Sequence, residues 1–129
     1  MPKVNLDDLV GLPYQINGRG NPGYDCYGYA IEVCNRFGKI LPDIESAKKE
    51  GYDFTECMEE GLKISTLKEV DYPENEADVV FFKDMNGVMN HIGIYLGDGL
   101  VTHCNAYGVH TEKLSRKAHF IGRCFTWLQ

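Results

Sequence analysis

Cys26, Ala30, Val33, Cys34 and Phe37 recur at intervals of three and four, the spacing of one helix face. Asp25 stands where an N-cap belongs and Gly38 where a helix stops, so the pattern predicts a helix over residues 26–37. A shorter helix is expected over residues 6–10, with Asn5 as its cap, Asp7 and Asp8 in its first turn, and Gly11 and Pro13 behind it. Residues 43–61 read as one or two short helices broken at Gly51, with Asp53 and Glu56 spaced as a capping box. The second half changes period. "ADVVFF" (77–82), "HIGIYL" (91–96), "LVTHC" (100–104) and "HFIGRCFTWL" (119–128) are strand-like, and "NG" and "GDG" separate some of them. Helices first and hairpin-linked strands afterwards predict an α+β domain with an antiparallel sheet.

A chain of 129 residues reads as a single domain, residues 1–129, able to bury a core of its own. Its net charge of −6, with no basic stripe, argues against a nucleic-acid surface. No stretch is apolar for long enough to span a membrane, so membrane insertion is not expected. The N-terminal sequence lacks the apolar core of a secretory signal, which points to synthesis in the cytoplasm without one or to its prior removal. Five cysteines, Cys26, Cys34, Cys57, Cys104 and Cys124, form no CxxC pair, so a zinc ribbon or finger is not expected. Four of them fit the role of small core residues. Cys26 stands apart, at the joint between a glycine-rich loop and a helix.

A helix start favours an anion, because its first N–H groups lack partners and the dipole is positive there. A thiol so placed can fall from about 8.5 to somewhere around 3.5–7.5. On the apolar face of its helix, Cys26 is expected to aim at the sheet, where a base must wait. His91 and His103 are the candidates. A three-residue loop at Gly97-Asp98-Gly99 sets Tyr95 opposite Val101 and Gly93 opposite His103, which puts His91 and His103 on one face, roughly 7–8 Å apart at the backbone. A two-residue loop at Asp98-Gly99 would turn one of them away. With the longer loop, Cys26 reads as nucleophile, His91 as base and His103 as the residue that orients His91. The Cys26 N–H is placed to stabilise the oxyanion. His110 and His119 read as loop and strand residues without a special role.

The order of "LPYQING" (12–18), "GYDCYG" (23–28), "ADVVFF", "NHIGIYLGDG" (90–99) and "VTHC" resembles the NlpC-type cell-wall cysteine peptidases, which are papain-like in fold. The resemblance implies N-terminal helices packed on a C-terminal antiparallel sheet. It also implies an endopeptidase that acts on peptidoglycan stem peptides, typically at the bond after γ-D-glutamate, with no metal and no other cofactor. Cys26, His91 and His103 match the catalytic positions and Tyr14 the tyrosine beside the nucleophile. Asp25 matches the acid that helps hold the substrate's free amino end. Tyr27 stands where the family has a pocket-shaping serine, Asn17 where tryptophan or glycine is common, and Ala77 where a glycine precedes Asp78. An aromatic after the nucleophile and a short chain resemble the phage-tail and prophage versions, which implies phage tail proteins as partners and action at the cell wall from a virion. Three rivals remain beside this. They are acyl transfer on the same fold, a silent tail-tip binding module, and a metal site built from Cys26, His91, His103 and Cys104.

Overall fold

The computed structural model describes residues 4–20, 22–43, 54–55 and 67–128. Asp25 caps the first α-helix, α1 (Cys26–Arg36), its side chain accepting from the Gly28 N–H, and Gly38 follows the helix at φ +77°. The expected N-terminal helix is a single 3-10 turn, Asp7–Leu9, with Asn5 Oδ1 accepting from the Asp7 N–H at 2.9 Å. Two short strands, β1 (Arg19–Gly20) and β2 (Gly23–Tyr24), form a small ribbon before the helix. The helices expected over residues 43–61 fall outside the described residues, apart from Phe54 and Thr55, which are helical.

Six strands make the main sheet: β3 (Leu67–Val70), β4 (Val79–Lys83), β5 (Met89–Gly97), β6 (Leu100–Asn105), β7 (Gly108–Lys113) and β8 (Ile121–Trp127). Their order is β3-β8-β4-β5-β6-β7, and all the pairings are antiparallel. β4 is central, and its run Val79, Val80, Phe81 and Phe82 is buried on both faces, so it reads as continuously apolar rather than alternating. β3 and β7 are edge strands rich in charge, which suits an edge and hides them from an apolar pattern.

Alternation divides the core in two. Val79, Phe81, Ile92, Ile94, Cys104 and Phe125 pack with α1, through Cys26, Tyr29, Ala30, Val33 and Cys34. Val80, Phe82, Tyr95, Val101 and Cys124 pack on the opposite face, which a 3-10 helix, Leu114–Phe120, closes with buried Leu114. His119 lies in this helix, whereas a strand was expected there.

Candidate active site

The β5–β6 hairpin decides where the histidines point. Its loop has two residues, Asp98 and Gly99, both at positive φ (+54° and +78°), with Gly97 paired to Leu100. The expected three-residue loop is thus corrected to two, which alone would turn His103 away from His91. A bulge prevents this. The register shifts between Tyr95 and Gly97, and Gly97 adopts φ +87°. Leu96 is absorbed there, and Tyr95 still faces Val101 and Ile94 still faces Thr102.

The two imidazoles meet: His91 Nε2 lies 2.7 Å from His103 Nδ1. The far nitrogen of His103, Nε2, lies 2.6 Å from Glu112 Oε2 on β7. A carboxylate only accepts, so Glu112 fixes the His103 proton on Nε2 and leaves Nδ1 as an acceptor. His91 must then donate through Nε2, and its Nδ1 carries the free lone pair. The relay Glu112–His103–His91 therefore sets the tautomer that a base needs. The Phe82 ring packs against both imidazoles, at centroid distances of 5.9 and 6.2 Å. Gly93 lets it approach, since a Cβ there would stand 2.8 Å from Val101 Cγ2 and 3.1 Å from the Phe82 ring. A pocket of about 220 Å³ opens beside the pair, lined by Phe82, Lys83, Asn90, His91, His103, Lys117 and Phe120.

Cys26 heads α1 on the other side of β5. Its side chain belongs to the cluster of Ile92, Ile94 and Cys104, whereas His91 and His103 stand with Phe82. The expectation that one sheet face carries both sulfur and imidazoles is corrected by the alternation of β5: the helix packs on even positions and the histidine is odd. Hydrogen bonds to the sulfur come from the backbone N–H groups of Ile92 and Tyr27. Sγ thus touches the peptide that joins His91 to Ile92, and the two groups meet around one strand rather than across a face. Bulges bend the sheet at this point, with Phe82 facing His91 but Lys83 facing Met89, and Phe81 facing Arg123 but Phe82 facing Ile121. Asn90 is the extra residue beside His91.

Burial dominates the electrostatics. It pushes the Cys26 thiol up to about 12, helped by the neighbouring Asp25 charge and opposed by the two N–H donors. The lowered thiol expected from the helix start is corrected accordingly, since loss of water at a residue 3% exposed outweighs the two N–H donors. Burial also pushes His91 down to about 3, with His103, Lys117 and His110 adding to the effect. His103 is lowered by burial, although Glu112 works against that. Burial works to raise the Glu112 carboxyl, but the hydrogen bond from His103 and the nearby positive groups hold it below the usual range. In this state thiol and imidazoles are neutral and Glu112 is ionised.

Tyr14 is half-buried against the α1-side cluster and bridges to Tyr24. Asp25 is fully buried, with Oδ1 shared by the Gly28 N–H and Arg19 Nη1, each at 2.6 Å. Its carboxylate caps the helix and pairs with Arg19 instead of lining an open cleft. Tyr27, expected to touch substrate, is a core anchor, 0% exposed, with its hydroxyl donating to the Pro42 carbonyl and its ring against Phe54. Cys104 faces away from His103, as alternation requires, and its thiol donates to the Tyr24 carbonyl at 3.3 Å. The four-residue metal set with Cys26 and Cys104 is therefore not assembled. Glu112 was missed and His110 was read as having no special role, although "GVHTEK" after the turn "NAYG" alternates as a strand and puts both on the face of His103.

Comparison with known proteins agrees with this fold. The family model described as NlpC/P60 family matches residues 11–123. A "Probable endopeptidase" of Mycobacterium tuberculosis (strain ATCC 25618 / H37Rv) is 31% identical over 100 residues, which cover 78% of this chain and 22% of that protein. The "Gamma-D-glutamyl-L-lysine dipeptidyl-peptidase" of Bacillus subtilis (strain 168) is 25% identical over 128 residues, 92% of this chain and 38% of that protein. The chain thus spans well under half the length of these relatives. Among solved structures, the NlpC/p60 domain of the peptidoglycan hydrolase SagA superposes with a TM-score of 0.59 at 18% identity, covering 93% of this chain and 91% of that one.

Proposed function

The chain belongs to the NlpC/P60 family, with its α+β papain-like fold, and we propose that it is a cysteine endopeptidase that cuts peptidoglycan stem peptides at the bond following γ-D-glutamate. A relative named as a probable endopeptidase supports the reaction class, and the B. subtilis dipeptidyl-peptidase supports the bond. One observation carries the assignment of roles. A continuous relay, Glu112 to His103 to His91, ends at the residue just before Ile92, whose backbone N–H donates to the sulfur at the start of α1.

The reaction then runs through this chain's own groups. Cys26 Sγ attacks the scissile carbonyl as its proton passes to His91 Nδ1. The imidazolium that forms is stabilised through His103 by ionised Glu112, which lowers the cost of separating charge in a buried site. The Cys26 N–H, one of the first helical donors and without an intrahelical acceptor, faces the developing oxyanion. His91 returns its proton to the leaving amine, a thioester remains on Cys26, and water releases it. Because thiol and imidazole are both neutral at rest, the ion pair forms only when substrate arrives, and the transfer requires the His91 ring, next to the irregular pairing at Asn90, to turn toward the sulfur. Tyr14 packs against the cluster that includes Cys26, and in this reading it borders the approach to the sulfur.

The buried sulfur favours one rival, a domain that binds wall peptides without turnover. Incubating the chain with muropeptides of defined sequence and weighing the products separates the two. Cleavage after γ-D-glutamate, lost in Cys26→Ala, is expected. Intact peptides at every concentration would favour the binding module, and product carrying a phospholipid-derived acyl group would favour acyl transfer.

A further inference from the structure

Glu112 and His103 belong to the relay, but His110 does not, and it completes a different figure. His103 pairs directly with His110 across β6 and β7, and Glu112 follows on the same face of β7. One nitrogen from each imidazole and one oxygen from the carboxylate lie within 4.8 Å of one another. His110 Nε2 stands 3.4 Å from Glu112 Oε2, close to the edge of about 3.3 Å that ligands at about 2.0–2.1 Å from a tetrahedral zinc ion make, whereas His103 Nε2, hydrogen-bonded to the same oxygen at 2.6 Å, must open by a few tenths of an ångström to admit the ion. His110 Nδ1 lies 3.3 Å from the Gly108 carbonyl, an acceptor that can hold the ring proton on Nδ1 and leave the Nε2 lone pair to a cation. The His110 side chain is 38% exposed, against 15% for Glu112 and 2% for His103, which gives a cation an entry from one side into an otherwise enclosed set.

We infer that His103, His110 and Glu112 form a binding site for a zinc-class divalent cation, and that its occupation switches the peptidase off. Two imidazoles and a carboxylate with a fourth position for water suit such an ion. The switching follows from proton positions and rests on the proposed reaction. With Glu112 on Nε2 of His103, His91 keeps its lone pair on Nδ1. A cation on Nε2 of His103 moves that ring's proton to Nδ1, which then donates to His91 Nε2. His91 must now carry its own proton on Nδ1, and it can no longer accept one from the thiol. Each ring holds one proton before and after, so the change is a reversal of direction without net release.

Binding is measured on the full chain carrying Cys26→Ala, which removes the relevant sulfur, by calorimetry with Zn²⁺ and by visible absorption with Co²⁺. One ion per chain is expected, with a tetrahedral d–d spectrum and no thiolate charge-transfer band. His110→Asn and Glu112→Gln, folded by circular dichroism, should each weaken it at least tenfold. No binding by the folded Cys26→Ala chain, a thiolate band, or affinity unchanged in both variants would overturn the site. With Cys26 present, Zn²⁺ should suppress muropeptide cleavage at least tenfold and a chelator should restore it. His110→Asn should cleave equally with and without the ion. Equal suppression of that variant would overturn the switch, whereas absence of any cleavage in ion-free wild type would count against the peptidase and leave the binding result standing.

Discussion

His103 holds its Nε2 2.6 Å from the Glu112 carboxylate, and that contact sets which nitrogen of the next histidine is free. Glu112→Gln keeps the shape but removes the charge, and its amide can rotate to present a donor. Turnover is expected to fall about 10- to 100-fold with KM nearly unchanged, because Glu112 acts through His103 without touching substrate. Thermal stability should change little at a partly exposed carboxylate. Nitrogen NMR of the imidazoles is the separate check. The wild type should show His103 protonated on Nε2, and the variant should lose that preference.

His91 and His103 are expected to differ in kind. His91→Ala removes the proton acceptor and should cost at least about 10³-fold in kcat. His103→Asn can still accept from His91 Nε2 through its amide oxygen, although it loses Glu112, and measurable activity should survive. Equal loss in the two variants, from single-turnover assays, would contradict the division of roles.

The Cys26 thiol should alkylate slowly. Pushed up to about 12, against about 8.5 for an unperturbed thiol, it has roughly 3,000-fold less thiolate near neutral pH. The sign is that of an acid whose neutral form is favoured, so reactivity rises about tenfold per pH unit until the pKa is approached. Iodoacetamide rates by mass spectrometry between pH 7 and 9 test this in the substrate-free chain. A rate at or above that of free cysteine would show that the helix start, not burial, governs the sulfur.

That contrast marks how far the residues alone could carry the reading. Asp25, the spacing of α1 and the strand patterns of β4, β5, β6 and β8 were legible, because capping and alternation are local. The meeting of His91 with His103 was legible only through the hairpin, and for a partly mistaken reason, since a bulge at Leu96 compensates a shorter loop. The burial of Cys26 and Tyr27 was not legible. Both follow from how the sheet closes on α1, which no local pattern records. β3 and β7 escaped because edge strands carry charges where central strands carry valine, and Glu112 escaped with β7.

Ala77 occupies the left-handed region at φ +74°, a conformation that favours glycine. Its N–H donates to the Tyr95 carbonyl and its carbonyl accepts from Trp127 Nε1, each at 2.8 Å, so the backbone cannot relax without losing both bonds. A side chain there costs roughly 1–2 kcal/mol, partly offset by the greater freedom of glycine in the unfolded chain. Ala77→Gly should therefore stabilise the fold by about 0.5–1 kcal/mol in urea unfolding, with activity unchanged.

Deleting Leu96 tests the hairpin itself. In the native pairing Gly97 faces Leu100 and Tyr95 faces Val101, with Leu96 looped out between them. Removing it leaves a straight ladder with those same partners, so Gly93, His91 and His103 should keep their faces. The half-buried Leu96 side chain packs against the α1-side cluster, and losing it should cost about 1–2 kcal/mol. The expected variant is less stable, retains the His91–His103 hydrogen bond by NMR, and cleaves within about tenfold of wild type. If instead the imidazole contact vanishes while the chain stays folded, Leu96 does more than take up one residue, and the parity argument that brings the two histidines together fails.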